Sequence, residues 1–340
     1  MRIDFGEHAE TIDRAVEAIV ETERAGFDGA LVAETRFDPF LLLTAAAGRT
    51  SRVELMTSVA IAFARNPMTV AMQANDLHEL CGGRFVLGLG TQVEAHITRR
   101  FGMPWADPAS RLREFVLAVR AIWRSWETGE RLDFAGEHYT HNLMTPMFAP
   151  GPNPYGNPKI YLAAVGPTMT EVAGEVAEGL VTSPATTERY LREVTMPALE
   201  RGRARAGATM AGFGISCALV SAVGSSPAEL DAAITSARQR VAFFGSTATY
   251  RPVFRLHGWA DLHETLYELS VLGRWDEMTA LIDDEVLHTF AVVGTPDEVA
   301  DQLTTRYGDI ADRVGLTSTD PIDPARWTHT LASLRAGQAL

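Results

Sequence analysis

The feature that most limits what this chain can fold into is the alternation of short apolar runs with longer amphipathic ones along most of its length. Short apolar runs suit buried parallel strands, and apolar positions spaced three and four apart suit helices packed over them, so the pattern reads as βα units. Arg2–Phe5 is the first predicted strand. Ala15, Val16, Ile19, Val20 and Ala25 then share one helical face, and Gly26 supplies the stop. Gly29–Ala33 is the second strand, followed by a helix over Leu41–Ala47; Val53–Ser58 is the third, with the helix Pro67–Leu80 closed by Gly82-Gly83. Phe85–Leu89 is the fourth. After an interruption, Ile160–Ala164, Gly179–Thr182 and Phe213–Ser221 supply three more, followed by helices over Met169–Ala177, Tyr190–Ala206 and Pro227–Phe243. Val299–Tyr307 is helical and Ile310–Thr317 can close the sheet. Eight such strands predict an α/β fold, a (β/α)8 TIM barrel with a side-chain-filled interior.

Two stretches break the rhythm. Residues 91–158, after strand four, hold an amphipathic helix (Arg111–Trp126), a hairpin-like segment (Arg131–Tyr139) and a Pro/Gly/Asn-rich loop. Residues 244–290, after strand seven, read as a second, helical insertion. The 340 residues are about twice a typical domain, yet a barrel can use this length as one unit. Core patterning never stops and restarts, so residues 1–320 are expected to form a single domain and 321–340 a C-terminal tail. An open doubly wound sheet would show a glycine fingerprint after its first strand, where only Gly6 stands.

Composition narrows the partners. The net charge of −13, from 43 acidic against 30 basic residues, disfavours nucleic acid and anionic membranes. No run of 18 apolar residues can span a bilayer, and the opening residues lack a signal peptide's apolar core. Cys81 and Cys217 are too far apart in sequence to suggest a disulfide framework, which suits a cytoplasmic enzyme. Lys159 is the only lysine, and it lies outside any Gly-rich loop. A small-molecule substrate is the remaining expectation.

Barrel active sites gather at the C-terminal ends of the strands. Strand two ends at Glu34, which is either a catalytic carboxylate or a salt-bridged acid. Strand three ends at Thr57-Ser58-Val59, which on periodicity alone is core. Strand four ends at Gly88-Leu89-Gly90-Thr91, where glycines allow a ligand close to the backbone, although Val93 breaks any dinucleotide fingerprint. Strand five runs through Ala164-Val165-Gly166-Pro167-Thr168 straight into a helix. Backbone N–H groups there can hold an anion without Lys or Arg, and an ordinary βα turn would look the same. His138 and His141 lack partners for a metal site, and no zinc or nucleophile-elbow motif occurs, so no metal is expected. His96, His257 and His263 stand alone. Arg99-Arg100 either steers an anionic ligand or forms a solvated face.

Further stretches recur in a definite order: Ala25-Gly26-Phe27-Asp28-Gly29, Arg65-Asn66-Pro67 with Asp76-Leu77, Gly82-Gly83-Arg84-Phe85, Tyr161–Pro167 with Ala173-Gly174, and Val293–Val299. With Thr57-Ser58-Val59 and Gly88–Thr91, they resemble the luciferase-like monooxygenase superfamily of flavin and deazaflavin enzymes. Thr91–His96, Arg100–Trp105 and Leu256-His257-Gly258-Trp259 are similar to a subgroup of coenzyme-F420-dependent oxidoreductases.

The resemblance implies a barrel that binds F420, or alternatively FMN, at its open end, and a homodimer. It implies a non-proline cis peptide at Ser58-Val59 backing the ring. Thr57, Gly90 and Thr91 would line the ring pocket, and Ala164, Val165, Gly166, Pro167 and Thr168 would hold the phosphate. The family's sugar-phosphate dehydrogenases carry an Asp-His pair where this chain has Glu34-Thr35, and an acid where it has Val93. A more apolar substrate is therefore expected, with Phe37, Phe40, Phe63, Trp105 and Trp259 near the predicted rims, each of them either facing the pocket or part of the core. The implied activity is hydride transfer between F420 and such a substrate, with Glu34 or His96 handling the proton and residues 244–290 forming a lid. The alternatives are an FMN-dependent monooxygenase and a non-catalytic cofactor-binding protein.

Overall fold

The structure, a computed structural model, describes residues 1–6, 9–317 and 324–337. Eight parallel strands form the barrel: β1 (Arg2–Gly6), β2 (Gly29–Val32), β3 (Glu54–Thr57), β4 (Phe85–Gly90), β5 (Lys159–Ala163), β6 (Gly179–Val181), β7 (Gly214–Val223) and β8 (Arg313–Thr317). Each pairs with the next in sequence, and β8 closes on β1 with Arg313 opposite Arg2 and Leu316 opposite Phe5. The eight strands expected from the sequence are these eight.

Local signals fix where the flanking helices begin and end. Thr11 caps the helix Ile12–Ala25 by accepting from Arg14 N, and Gly26 ends it at φ 94°, a conformation that favours glycine. Asn66 caps Pro67–Leu80, and Thr295 and Glu298 form a reciprocal capping box on Pro296–Tyr307.

The barrel interior is layered. At its N-terminal end, Arg313 donates two hydrogen bonds to Asp4, of 2.6 and 2.9 Å, with both side chains buried. Gly29 leaves the space they occupy: a Cβ on it would overlap the Asp4 carboxylate. Tyr161 fills the same layer, and a Cβ on Gly179 or Gly214 would overlap its ring. Above it lie Leu31, Met56, Val86 and Val181, with Val59 and Ala163 towards the open end. The larger core lies between the strands and the outer helices.

Three parts differ from the sequence reading. A short strand, Ala291–Gly294, pairs with Val220–Val223 of β7. β7 is ten residues long and its pairing with β8 ends at Val220, so its last peptide groups need another partner. The hairpin in the first insertion pairs Phe134–Ala135 with Thr140–His141, slightly beyond the expected segment. It is held by Glu114, whose carboxylate accepts from the backbone N–H groups of Glu137, His138 and Tyr139. Finally, the segment expected to be a tail contains the helix Pro324–Gly337, which packs on the barrel. Its Trp327 ring lies 5.7 Å from Phe5 and 5.8 Å from Phe27, and Leu331 and Leu334 are buried. Residues 318–323 and 338–340, with the expected boundary at 320, lie outside the described residues. Among the described residues no helix is long and apolar enough to cross a membrane.

Candidate active site

The site grows out of the junction between β3 and β4. The β3–β4 ladder pairs Leu55 with Phe85 and Met56 with Val86, and then the Thr57 side chain takes over. Its hydroxyl donates to Gly88 O at 2.7 Å and accepts from Gly88 N at 2.8 Å. Thr57 is fully buried and uses its hydroxyl between the strands, beneath the cavity rather than in it. That corrects its expected place in the ring pocket.

Beyond Thr57 the Ser58-Val59 peptide is cis, as the resemblance implied. Ser58 N donates to Val32 O, and Val59 O accepts from Glu34 N, so the bulge is tied back to the end of β2. Ala60 and Ile61 then pair with Leu89 and Gly90. A Cβ on Gly90 would lie 2.7 Å from Val59 Cγ2, so glycine is what lets Val59 settle against β4.

Above this floor opens a cavity of about 1130 Å³, at the C-terminal ends of the strands. It exceeds the usual range for a single small-ligand pocket and has room for a tricyclic ring with a substrate beside it. Leu31, Ser58, Val59, Gly90, Ala163 and Val181 form the base. Thr91 and the helix Glu94–Arg99 make one wall, and Ala164, Val165, Gly166 and Met169 the next. Residues 244–250 of the second insertion and Tyr267 cover the far side, which fits a lid.

Gly166 is the N-cap of the helix Pro167–Val176, and no side chain caps that end. A Cβ on Gly166 would find nothing within 4 Å, so open space faces the first turn. Pro167 lacks an N–H, leaving those of Thr168 and Met169 as the donors a bound anion would meet. Pro167 and Thr168 form this turn but do not themselves line the cavity.

The two expected proton carriers separate. Glu34 lines the cavity, and its Oε2 accepts from Ile61 N at 2.7 Å and from Arg65 at 2.5 Å. Arg65 also donates to Asp38 at 2.6 Å, and the Glu34 and Arg65 side chains are only 8% and 10% exposed. Of the two readings of Glu34, the salt-bridged acid is the one seen, and its side chain also borders the cavity. His96 is exposed and does not line the cavity; Ala95, Thr98 and Arg99 of the same helix do. Helical spacing places His96 away from that face, which removes it as a candidate.

The aromatics divide between the two readings left open for them. Phe40 and Phe63 are buried in the core, Phe37 packs against it, and Trp259 stacks on His257 at 4.9 Å. Only Trp105 of that set lines the cavity. Phe244, Tyr250 and Tyr267 do so as well, and sequence reasoning missed them because a helical insertion gives no sign of which face turns inward. Among the described residues no group of three or more His, Cys, Asp or Glu side chains could hold a metal ion.

Comparison with known proteins adds an independent line. The luciferase-like monooxygenase family model matches residues 2–313. The uncharacterized protein Rv1360 of Mycobacterium tuberculosis is 53% identical over 301 residues, 88% of each chain. An F420-dependent glucose-6-phosphate dehydrogenase of Mycobacterium avium is 32% identical over 204 residues, 56% of this chain and 58% of the relative. The solved coenzyme F420-dependent tetrahydromethanopterin reductase of Methanopyrus kandleri superposes with a TM-score of 0.82 at 20% identity, covering 97% of this chain and 96% of that one.

Proposed function

The chain belongs to the luciferase-like monooxygenase family, and from that premise we propose that it is an F420-dependent oxidoreductase. It transfers hydride between the deazaflavin and a small, fairly apolar organic substrate. The observation that carries this reading is that one cavity joins an apolar floor at Ser58, Val59 and Gly90 to an uncapped helix start at Gly166. A flat ring suits the floor, and a phosphate-bearing tail suits the helix N-terminus. The residues present therefore fit the cofactor. The identity with an F420-dependent dehydrogenase favours F420 over FMN.

When bound, the cofactor supplies a ring carbon that gives or takes hydride. The chain supplies placement. Val59 and Gly90 set the ring's depth, and the first-turn N–H groups after Gly166 anchor the tail. Glu34, fixed by Ile61 N and Arg65, presents a hydrogen-bond acceptor at the wall, while residues 244–250 keep water out. Trp105, Phe244 and Tyr267 support an apolar substrate. A cytoplasmic homodimer completes the proposal. It is supported by the free, buried Cys81 and Cys217 and by the exposed Leu41, Met72 and Leu80 on the outer helices.

Binding titrations with F420 and with FMN, followed by cofactor fluorescence and by oxygen uptake after reduction, test this directly. F420 should bind at micromolar concentration or below, without rapid oxygen uptake. Tight FMN binding with rapid uptake and no F420 binding would reassign the protein as a flavin monooxygenase. F420 binding without hydride exchange to any of a broad acceptor panel would point to a non-catalytic binder.

A further inference from the structure

Hydride addition to a polarised double bond leaves negative charge on its far atom, so a proton donor must face the cavity. Glu34 is committed to Ile61 N and Arg65, and His96 lies outside. Among the other described titratable residues lining the cavity, Glu94 is exposed at the start of its helix, Arg99 is exposed, Tyr267 is 51% exposed at the rim, and Arg240, as a guanidinium, does not give up its proton.

Tyr250 is placed differently. It ends the short turn Ala248–Tyr250, and the helix Arg251–Leu256 that follows fixes its backbone. Its ring packs edge-on against Phe244, with centroids 5.9 Å apart and planes at 83°. Ser183, whose hydroxyl accepts from Ala185 N at 3.1 Å, lines the same cavity. Burial pushes the phenol above its ordinary pKa, so it carries its proton at neutral pH.

We propose that Tyr250 is the catalytic acid of this site and that the substrate is a ketone or aldehyde. Hydride from the reduced deazaflavin adds to the carbonyl carbon as the phenolic proton of Tyr250 passes to the carbonyl oxygen. The C=O bond becomes a C–O single bond bearing the new O–H, and the deazaflavin is oxidised by two electrons. The phenolate then recovers a proton from solvent as the product leaves. An oxygen that becomes an alkoxide is the natural acceptor for a phenol, because it is far the stronger base. This assignment rests on the deazaflavin reading above.

The Tyr250→Phe variant keeps the ring that packs on Phe244 and removes only the hydroxyl. Three measurements on the parent and the variant separate the possibilities. They are F420 affinity by fluorescence titration, oxidation of bound reduced F420 by the dye dichlorophenolindophenol, and its oxidation by cyclohexanone, 2-cyclohexen-1-one and benzaldehyde. The dye draws its protons from solvent, so it reports cofactor competence without the site acid. The variant should bind F420 within twofold of the parent and reduce the dye as fast. It should reduce the carbonyl probes at least 100-fold more slowly. A loss below tenfold would overturn the assignment. So would a parent protein that reduces the dye and none of the three carbonyls, with the cofactor reading left standing. A parent that fails to bind F420 would overturn the cofactor reading, and this assignment with it.

Discussion

Gly166→Asp is expected to abolish cofactor binding while leaving the fold at least as stable as before. Gly166 sits at φ −76° and ψ 155°, an ordinary N-cap conformation that aspartate adopts readily. Open space surrounds its missing side chain. An aspartate there would cap the helix itself, its carboxylate taking the first-turn N–H groups that the cofactor's phosphate would otherwise meet. It would also set a negative charge against that phosphate. Losing two charge-assisted hydrogen bonds and adding repulsion amounts to about 3 kcal/mol or more, at least a hundredfold in affinity. Thermal melting should rise or stay level while the F420 titration flattens. An unchanged affinity would remove this end of the cavity from the binding site.

The largest stability effect should come from the opposite end of the barrel. Asp4→Ala strips the partner from Arg313, whose side chain is 4% exposed between β1 and β8, where the barrel closes. Glu54 also reaches Arg313 at 3.0 Å, but from a half-buried position that cannot replace two buried hydrogen bonds. A buried guanidinium left without its carboxylate costs about 3–5 kcal/mol. Replacing both residues, as in Asp4→Ala with Arg313→Met, should recover much of that, because no charge is then stranded. Denaturant midpoints of the single and double variants check the sign of each. A cost below about 1 kcal/mol for Asp4→Ala would mean that the pair does not hold the barrel shut.

These two sites differ in how far the sequence disclosed them. The strands could be read because burial on both faces demands continuous apolar runs, and the helix start at Gly166 because a Gly-Pro step straight after a strand marks one. Thr57 was harder, since a hydroxyl at a strand end can face a ligand or bond to its neighbour, and Gly88 decides between them only in three dimensions. His96 failed for a rotational reason: one position along a helix turns a side chain by about 100°, and Ala95 rather than His96 faces inward. Tyr250 and Phe244 lie in an insertion whose helices pack on one another and on β7, so nothing local marks their inner face. The C-terminal helix was missed although its buried positions, Trp327, Leu331 and Leu334, keep a helical spacing of four and three, because so short an apolar stripe does not show what it packs against.

A crystal structure of the protein grown with F420 measures most directly where the cofactor sits. It should show the tricyclic ring over Ser58, Val59 and Gly90, and the phosphate within hydrogen-bonding distance of the Thr168 and Met169 N–H groups. A ring bound elsewhere, or a phosphate held away from the start of the Pro167–Val176 helix, would contradict it.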